Sequence, residues 1–102
     1  MEDSGMSVID CGETLGIADV GDLYATLLTE LAEGNTVRLD VSEIERIDAA
    51  ALQMIYAYSK EAIRQGEALS WISPSQAFLR SVNLLGLAER MNIEGNIVEK
   101  SQ

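Results

Sequence analysis

Acidic side chains that could bind a metal or accept a phosphoryl group are concentrated in one short stretch of the chain. They are Asp40, Glu43, Glu45 and Asp48. A magnesium or phospho-acceptor site needs carboxylates that converge at strand ends, with a lysine opposite them. Asp40 ends a predicted strand, but Lys60 falls within a predicted helix and Lys100 near the end of the chain, so no lysine follows a later strand. We therefore interpret the stretch as helix caps and solvated charges and expect no metal site.

The residue types that most enzymes use are nearly absent. The chain contains no histidine and one cysteine, Cys11. Without histidine there can be no Ser-His-Asp triad, Cys-His pair or phosphohistidine, and one cysteine is too little for a zinc site. Neither a G-x-x-x-x-G-K-[ST] nor a G-x-G-x-x-G phosphate loop occurs. We expect no catalytic residues, no cofactor and no enzymatic activity, and we interpret Cys11 as a structural thiol, typical of a reducing compartment.

Length and charge restrict the classes of partner. With 102 residues, of which 47% are hydrophobic, the chain can build one small core, and a single domain over residues 6–100 is predicted. It carries 7 Lys and Arg against 17 Asp and Glu, for a net charge of -10. Such a surface repels phosphate backbones and anionic lipids, so we expect neither nucleic-acid binding nor direct membrane insertion. No leader or membrane-spanning apolar run is evident, and a cytoplasmic location is expected.

The elements that must position these residues begin with two short strands, predicted at 7–11 and 14–15. A helix over 18–33 follows, because apolar residues recur at i, i+3, i+4, i+7, i+8 and i+11. These residues are Val20, Leu23, Tyr24, Leu27, Leu28 and Leu31. Gly34 supplies the left-handed conformation that ends helices, and the β-branched segment 36–41 is predicted to be a strand.

A second helix is predicted to begin after Asp48, which stands before a run of alanine and leucine and has the character of an N-cap. Gly66 ends this helix. A connector at 42–47 precedes it, and a strand at 68–72 follows, with Trp71 expected in the core.

A third helix is predicted from the spacing of Ser73 and Gln76, which is that of a capping box, with Pro74 at the first helical position. Gly86 ends it. One helical turn at 87–91 and a last short strand containing Ile93, Ile97 and Val98 complete the chain. Strands that alternate with helices predict an α/β fold, with a small mixed, mostly parallel β-sheet and helices packed on it.

The stretch from residue 40 to residue 52 reads Asp-Val-Ser-Glu-Ile-Glu-Arg-Ile-Asp-Ala-Ala-Ala-Leu. It resembles the signature of STAS domains, the sulphate-transporter and anti-sigma-factor-antagonist family. In that family a strand ends in Asp-Leu-Ser, and Asp-Ser-Ser-Gly-Leu opens a helix. The matching positions are Asp40, Ser42, Ile44, Ile47, Asp48 and Leu52. The predicted element order is also similar over nearly the whole chain, so the resemblance implies a STAS-like fold.

Other segments are similar to particular members of this family. They are Ala50-Ala51-Leu52-Gln53, Trp71, Pro74-Ser75 and Leu84-Leu85-Gly86-Leu87. The similar members are the STAS proteins found with bacterial chemotaxis genes and the STAS subunits of lipid-transport ABC systems.

The chain departs from the family where switching antagonists are phosphorylated. The hydroxyl pair after the aspartate is replaced by Ala49 and Ala50, which form a degenerate phosphosite because alanine has no oxygen to accept phosphate. A phosphate at a helix N-terminus adds about -1.5 to -2 charges and can break a complex there. Nearby Ser42 is interpreted as a turn-forming hydroxyl.

The resemblance implies that a partner docks through the first turn of the second helix and the loop before the first helix. The expected partner-binding residues are Asp48, Ala49, Ala50, Gln53, Ile17 and Asp19, with Asp48 interpreted first as an N-cap. The alanines leave two interpretations open, since small side chains admit a partner backbone but are also good helix formers.

The leading functional hypothesis is a non-enzymatic regulatory module that resembles an anti-sigma factor antagonist. The resemblance implies three classes of protein partner: an anti-sigma factor kinase, a chemotaxis signalling protein, or a transporter ATPase. The last class corresponds to a regulatory STAS subunit of a lipid-transport ABC ATPase. A small-ligand sensor, a phospho-acceptor that uses the carboxylates and a weak homodimer stay open as alternatives.

Overall fold

Strands and helices alternate along residues 6–67 and 69–100, which are the residues that this computed structural model describes. The strands are β1 (Met6–Asp10), β2 (Thr14–Leu15), β3 (Thr36–Asp40), β4 (Arg46–Ile47), β5 (Leu69–Ile72) and β6 (Ile97–Val98). The helices are α1 (Val20–Ala32), α2 (Ala49–Arg64) and α3 (Gln76–Leu84), with single 3-10 turns at Ile17–Asp19 and Glu94–Asn96. Within these described ranges, no helix combines the length and the apolar character needed to cross a membrane.

The main sheet has the strand order β1-β3-β5-β6, and β2 pairs with β4 in a separate two-stranded ladder. All pairings among the described residues are parallel; Leu39 of β3, for example, lies opposite Trp71 of β5. The prediction of an α/β fold with a mostly parallel sheet is confirmed. Because parallel strands end at the same edge, Asp10 and Asp40 are neighbours at the ends of β1 and β3.

The core lies against one face of the main sheet. Val37 and Leu39 alternate with more accessible residues along β3, and Trp71 packs beside them with no exposed surface. The Trp71 and Phe78 rings have centroids 5.6 Å apart, so α3 packs on the same face. The helices contribute the remaining buried apolar side chains, which include Leu27, Leu31, Leu52, Ile55, Tyr58 and Val82. The expected core position of Trp71 is confirmed.

The first helix begins later than the sequence predicts. A helix was predicted over 18–33, but Ile17–Asp19 form a 3-10 turn and α1 starts at Val20. The backbone N–H of Asp19 donates to the Gly16 carbonyl at 2.9 Å, and the Asp19 carboxylate accepts from the Gly16 N–H at 2.9 Å. These two short-range bonds tighten the entry to α1, because they close a turn that is smaller than an α-helical one.

The prediction that Ser73 caps α3 is wrong. Ser73 has φ 44°, which is not the extended backbone of an N-cap, and Pro74 lies outside the helix. Ser75 is the cap instead, since its hydroxyl accepts from the Phe78 N–H at 3.1 Å and donates to the Ile44 carbonyl at 2.7 Å. The second bond reaches a residue distant in sequence, which local capping rules do not consider.

Smaller differences occur in the connecting segments. The predicted connector at 42–47 contains β4. Residues 87–91, predicted to form one helical turn, form an irregular turn with one helix-like hydrogen bond, from the Met91 N–H to the Leu87 carbonyl at 2.8 Å. Ala68, the first residue of one predicted strand, lies outside the described residues. The single domain over residues 6–100 stays a prediction.

Candidate functional site

Asp48 joins the two segments that the sequence assigns to partner binding. It occupies the position before α2 with extended backbone, φ -76° and ψ 150°, but its side chain does not bond to the N–H groups of α2. Its carboxylate accepts a hydrogen bond from the Ile17 N–H at 3.0 Å instead. Asp48 is therefore the N-cap residue of α2 by position, as predicted, but its side chain does not make the capping hydrogen bond. Ile17 opens a 3-10 turn, and the first N–H of such a turn has no acceptor within it. This N–H therefore donates to the Asp48 carboxylate.

The backbone reinforces this bridge. The Asp48 N–H donates to the Leu15 carbonyl at 2.9 Å, which continues the β2–β4 ladder into the start of α2. The Asp48 carbonyl then accepts the first helical bond, from the Leu52 N–H at 3.1 Å. One residue thus holds β2, the Ile17–Asp19 turn and α2 together, and the two segments form one continuous surface.

All the predicted partner-binding residues are exposed on this surface: Asp48, Ala49, Ala50, Gln53, Ile17 and Asp19. Ile17 is apolar and yet 70% exposed, so its side chain does not serve the core. Ala49 and Ala50 are the first two residues of α2, and Gln53 lies one turn further on. The structure brings these positions together, and their role in binding a partner stays a prediction.

An apolar groove adjoins this surface, and the sequence analysis did not identify it as part of the site. It has a volume of about 180 Å³. The spacing of Phe78, Val82 and Leu85 predicts that Leu85 lies on the apolar face of the third helix, but Leu85 is 40% exposed. Leu84 is 79% exposed. Leu84 lies off the core face of α3, and an apolar residue at such a position is the sequence feature that could have indicated the groove. The lining residues are Ile47, Ala49, Leu52, Ser81, Leu84 and Leu85.

A shallow acidic cleft lies against the Ile17–Asp19 turn, with a volume of about 270 Å³. Its lining includes three carboxylates, those of Asp10, Asp19 and Asp22, and no Lys or Arg among the described residues. Cys11 also lines it but is buried, and burial together with the charges of Asp10 and Asp40 raises the pKa of its thiol to about 12. The thiol is therefore protonated at neutral pH and is a poor nucleophile, which agrees with a structural role.

The carboxylate that ends β3 is held by a lysine. The Lys100 ammonium lies 3.2 Å from an Asp40 carboxylate oxygen and donates to the Ser42 hydroxyl at 3.2 Å. The expectation that no lysine follows a later strand is therefore wrong, because Lys100 lies two residues after the end of β6 and reaches across to β3. Chain separation hid this pair, since Asp40 and Lys100 are 60 positions apart and meet only when the strands align.

Asp40 is buried, with 8% of its surface exposed, and its pKa is nevertheless lowered. Burial would raise the pKa of Asp40, but hydrogen bonds from the Ser42 hydroxyl and N–H and the contact with Lys100 outweigh burial and hold it below its usual value. The Ser42 hydroxyl donates to Asp40 at 2.6 Å and its N–H at 3.0 Å, the geometry of a turn. Within the described part of the chain, no group of three or more His, Cys, Asp or Glu is arranged to hold a metal ion.

Comparison with known proteins identifies relatives. A family model described as "Mlab, STAS domain" matches residues 2–99. No curated protein matches the chain by sequence. A Thermotoga maritima protein described as a candidate anti-sigma factor antagonist has a similar structure, with a TM-score of 0.78 and 21% identity over 97% of this chain and 82% of that one.

Two further solved structures share the fold. The anti-sigma factor antagonist SpoIIAA in its unphosphorylated form has a TM-score of 0.73 and 16% identity, covering 99% of this chain and 86% of its own. A sulfate transporter family protein from Wolinella succinogenes has a TM-score of 0.73 and 15% identity, covering 93% of this chain and 77% of its own. At these identities the structural likeness supports the fold, and the family model supports membership.

Proposed function

The chain belongs to the STAS domain family, and from this premise we propose that it is a regulatory protein–protein interaction module without catalytic chemistry. Its partner docks on the first turn of α2 and on the Ile17–Asp19 turn. A cytoplasmic location, where a partner kinase, chemotaxis protein or transporter ATPase would be reached, belongs to the same proposal.

The observation that supports this proposal most is the bridge between the two turns. The Asp48 carboxylate contacts the Ile17 N–H at 3.0 Å, so two segments distant in sequence are pre-arranged as one exposed surface. Pre-arrangement favours binding because less conformational entropy is lost when the partner docks. Ala49 and Ala50 are small and exposed at the centre of this surface and would let a partner backbone approach closely.

Binding at this surface is not switched by a phosphoserine. Ala49 and Ala50 occupy the positions where the family's switching antagonists carry hydroxyl groups, and Asp48 keeps the preceding position. Without an acceptor oxygen, the first turn of α2 cannot gain the about -1.5 to -2 charges of a phosphate. The proposed partner interaction is therefore constitutive with respect to that modification.

The experiment is capture of partners from the cells that express the protein, with three tagged baits identified by mass spectrometry. The baits are the wild type, Ala50→Arg and Ala32→Arg. Ala32 is a matched control because it is an exposed alanine in a helix, about 18 Å along α1 from Val20. We expect the wild type and Ala32→Arg to retain the same partner and Ala50→Arg to lose most of it, since a long cation would hold the partner away from α2. Equal recovery by all three baits, or no specific recovery at low salt, would contradict the proposal.

A second measurement tests the missing switch. If the captured partner is a kinase, it should leave the wild type unmodified at the α2 turn and should phosphorylate Ala49→Ser or Ala50→Ser. Phosphorylation of the restored variant would mean that the docking surface is intact and only the acceptor was lost. Absence of phosphate in both restored variants would mean that the surface no longer fits such a kinase.

The alternatives that use a small ligand or a metal are tested by thermal unfolding. A magnesium or nucleotide site would raise the melting temperature at millimolar ligand by mass action, because the ligand binds the folded state alone. Under the proposed function we expect no rise with either ligand. A rise that Asp40→Asn abolishes would move the assignment to a phospho-acceptor at the end of β3.

A further inference from the structure

We infer that the apolar groove and the acidic cleft together select the partner: they fit a protein segment that carries one apolar anchor side chain with Lys or Arg side chains beside it. This inference rests on the proposed function and adds the chemistry of the partner. It assigns Leu84 and Leu85 to the docking surface, as well as Asp10 and Asp22, beyond the residues that the family resemblance suggests.

The apolar half of the surface is the groove between the start of α2 and the end of α3. Its volume of about 180 Å³ is suited to one large apolar side chain. Its floor includes Leu52, which is fully buried, whereas Leu84 stands on its rim with 79% of its surface exposed. A partner side chain in this groove would cover Leu84 and Leu85, which otherwise leave apolar surface in water.

The charged half is the cleft that contains Asp10, Asp19 and Asp22. The cleft and the groove are connected through the β2–β4 ladder, where Leu15 of the cleft lining is the register partner of Ile47 of the groove lining. A segment anchored in the groove therefore lies beside a row of carboxylates, which attract Lys and Arg and speed its approach.

Two basic groups lie near the cleft, since Lys100 interacts with the charge of Asp10 and Arg46 pairs with Thr14. The attraction for a cationic partner is therefore assigned chiefly to Asp19 and Asp22. Arg46 and Arg80 are the cations on β4 and α3, and neither lines the groove or the cleft. Arg80 lines a separate depression that also contains Glu13, Glu43 and Glu45. A second copy of the chain is a poor occupant, because its own net charge of -10 opposes the approach of its acidic surface to the cleft.

The test begins with the full chain, immobilised and used to select from a displayed library of random peptides. The expected enriched peptides have a net positive charge and contain Leu, Ile, Met or Phe. Enrichment of acidic peptides, or no enrichment at all, would overturn the inference.

The selected peptide is then synthesised, and its dissociation constant is measured by fluorescence polarisation against paired variants. Leu84→Asp is compared with Ile63→Asp, since Ile63 is also a large apolar residue, 56% exposed, about 21 Å along α2 from Ala49. Circular dichroism confirms that each variant is folded. We expect Leu84→Asp to weaken binding at least tenfold and Ile63→Asp to change it less than twofold. Equal effects would overturn the groove assignment.

The charged half is tested by Asp19→Asn with Asp22→Asn against Glu89→Gln with Glu94→Gln, exposed positions with the same change of charge. Asn at position 19 keeps an oxygen for the Gly16 N–H. We expect the first pair to weaken binding severalfold at about 50 mM salt and to flatten its salt dependence, and the second pair to do neither. Identical salt dependence in both pairs would overturn the electrostatic assignment.

The Ala50→Arg variant separates this inference from the proposed function. If Ala50→Arg abolishes binding while Leu84→Asp and the Asp19 and Asp22 changes leave it intact, the docking turn is correct and the partner chemistry is wrong. If none of these variants affects binding, the proposed surface itself is wrong.

Discussion

Replacement of Asp48 by serine distinguishes a bridge between two turns from an ordinary helix cap. Serine is among the preferred N-cap residues, so a capping role would survive the change almost fully. The serine hydroxyl lies closer to the backbone than a carboxylate oxygen does, and it therefore cannot make the 3.0 Å contact with the Ile17 N–H. The substitution removes the bridge and keeps the capacity to cap.

The expected loss of stability follows from the exposure of the contact. Hydrogen bonds to charged groups contribute roughly 1.5–3 kcal/mol, but Asp48 and Ile17 are exposed and water can replace the bond, so we take about 1 kcal/mol. A carboxylate near the N-terminus of α2 adds about 0.3–1 kcal/mol through the helix dipole. Asp48→Ser should thus lower the free energy of unfolding by about 1–2 kcal/mol. Asp48→Asn keeps an acceptor oxygen and should lose less.

Urea denaturation at neutral pH measures the stability, and hydrogen exchange by NMR locates the effect. The Ile17 amide should exchange much faster in Asp48→Ser than in the wild type, because its only described partner is gone. The Leu52 amide, which donates to the Asp48 carbonyl at 3.1 Å, is the control and should be unchanged. If the variant stays within about 0.5 kcal/mol of the wild type and Ile17 exchange is unaltered, Asp48 is an ordinary cap and the bridge does not hold the surface together.

Three further outcomes are expected. Asp40→Asn should lower the free energy of unfolding at neutral pH by about 1–2 kcal/mol. Because the folded-state pKa of Asp40 is lowered, the difference in stability between the variant and the wild type should shrink as the pH falls below about 4 and vanish below the folded pKa. A difference that persists in acid would mean that the charge of Asp40 is not what stabilises the fold. Ser75→Ala should lower the free energy of unfolding, measured by urea denaturation, by about 1–2 kcal/mol, since both the Phe78 N–H and the Ile44 carbonyl lose a partner. Ser75→Thr keeps the hydroxyl and should lower it less. Equal losses of stability in the two variants would refute the capping role. Cys11 should resist a thiol reagent at mildly alkaline pH in the folded protein and react once urea unfolds it, and rapid labelling of the folded form would contradict its raised pKa.

The elements that depend on local pattern were predictable from the sequence. The apolar stripe of α1 places Leu27 and Leu31 in the core, although Tyr24 and Leu28 of the same stripe are exposed. The alternation in β3 buries Val37 and Leu39. These signals work because side-chain direction repeats with the period of the element. The parallel sheet followed from the alternation of strands with helices, since parallel strands need a crossover between them.

The contacts that join distant segments were not predictable in the same way. Ser75 rather than Ser73 caps α3, because the Ser75 hydroxyl also reaches the Ile44 carbonyl, 31 residues away. Lys100 neutralises Asp40 only because β6 aligns beside β5. Capping and turn rules consider only residues that are close in sequence. Where two local conformations have similar energies, contacts with distant residues determine which one forms.

The candidate site shows the same division. The family resemblance implies docking at the first turn of α2 and at the Ile17–Asp19 turn, and the structure places both on one exposed surface. The resemblance includes Leu84 in a similar segment but does not place it in the docking surface, because its exposure depends on where α3 ends relative to α2. Exposed apolar residues are informative only when their neighbours are known, since scattered ones are common on all proteins.

The replacement of the family's hydroxyl pair has a second consequence that only the structure suggests. Ala49 lines the apolar groove beside Leu52 and Leu84, so its methyl group extends the apolar surface that we infer to hold a partner side chain. A serine at that position would place a hydroxyl in the groove, and a phosphate would place charge there, which an apolar anchor could not solvate. Under the proposed function, the same replacement would remove the phosphate acceptor and add an apolar contact. Under the proposed function, the alanines favour a constitutive complex. The fraction of the protein in this complex would depend on the concentrations of the two partners rather than on a modification of this chain.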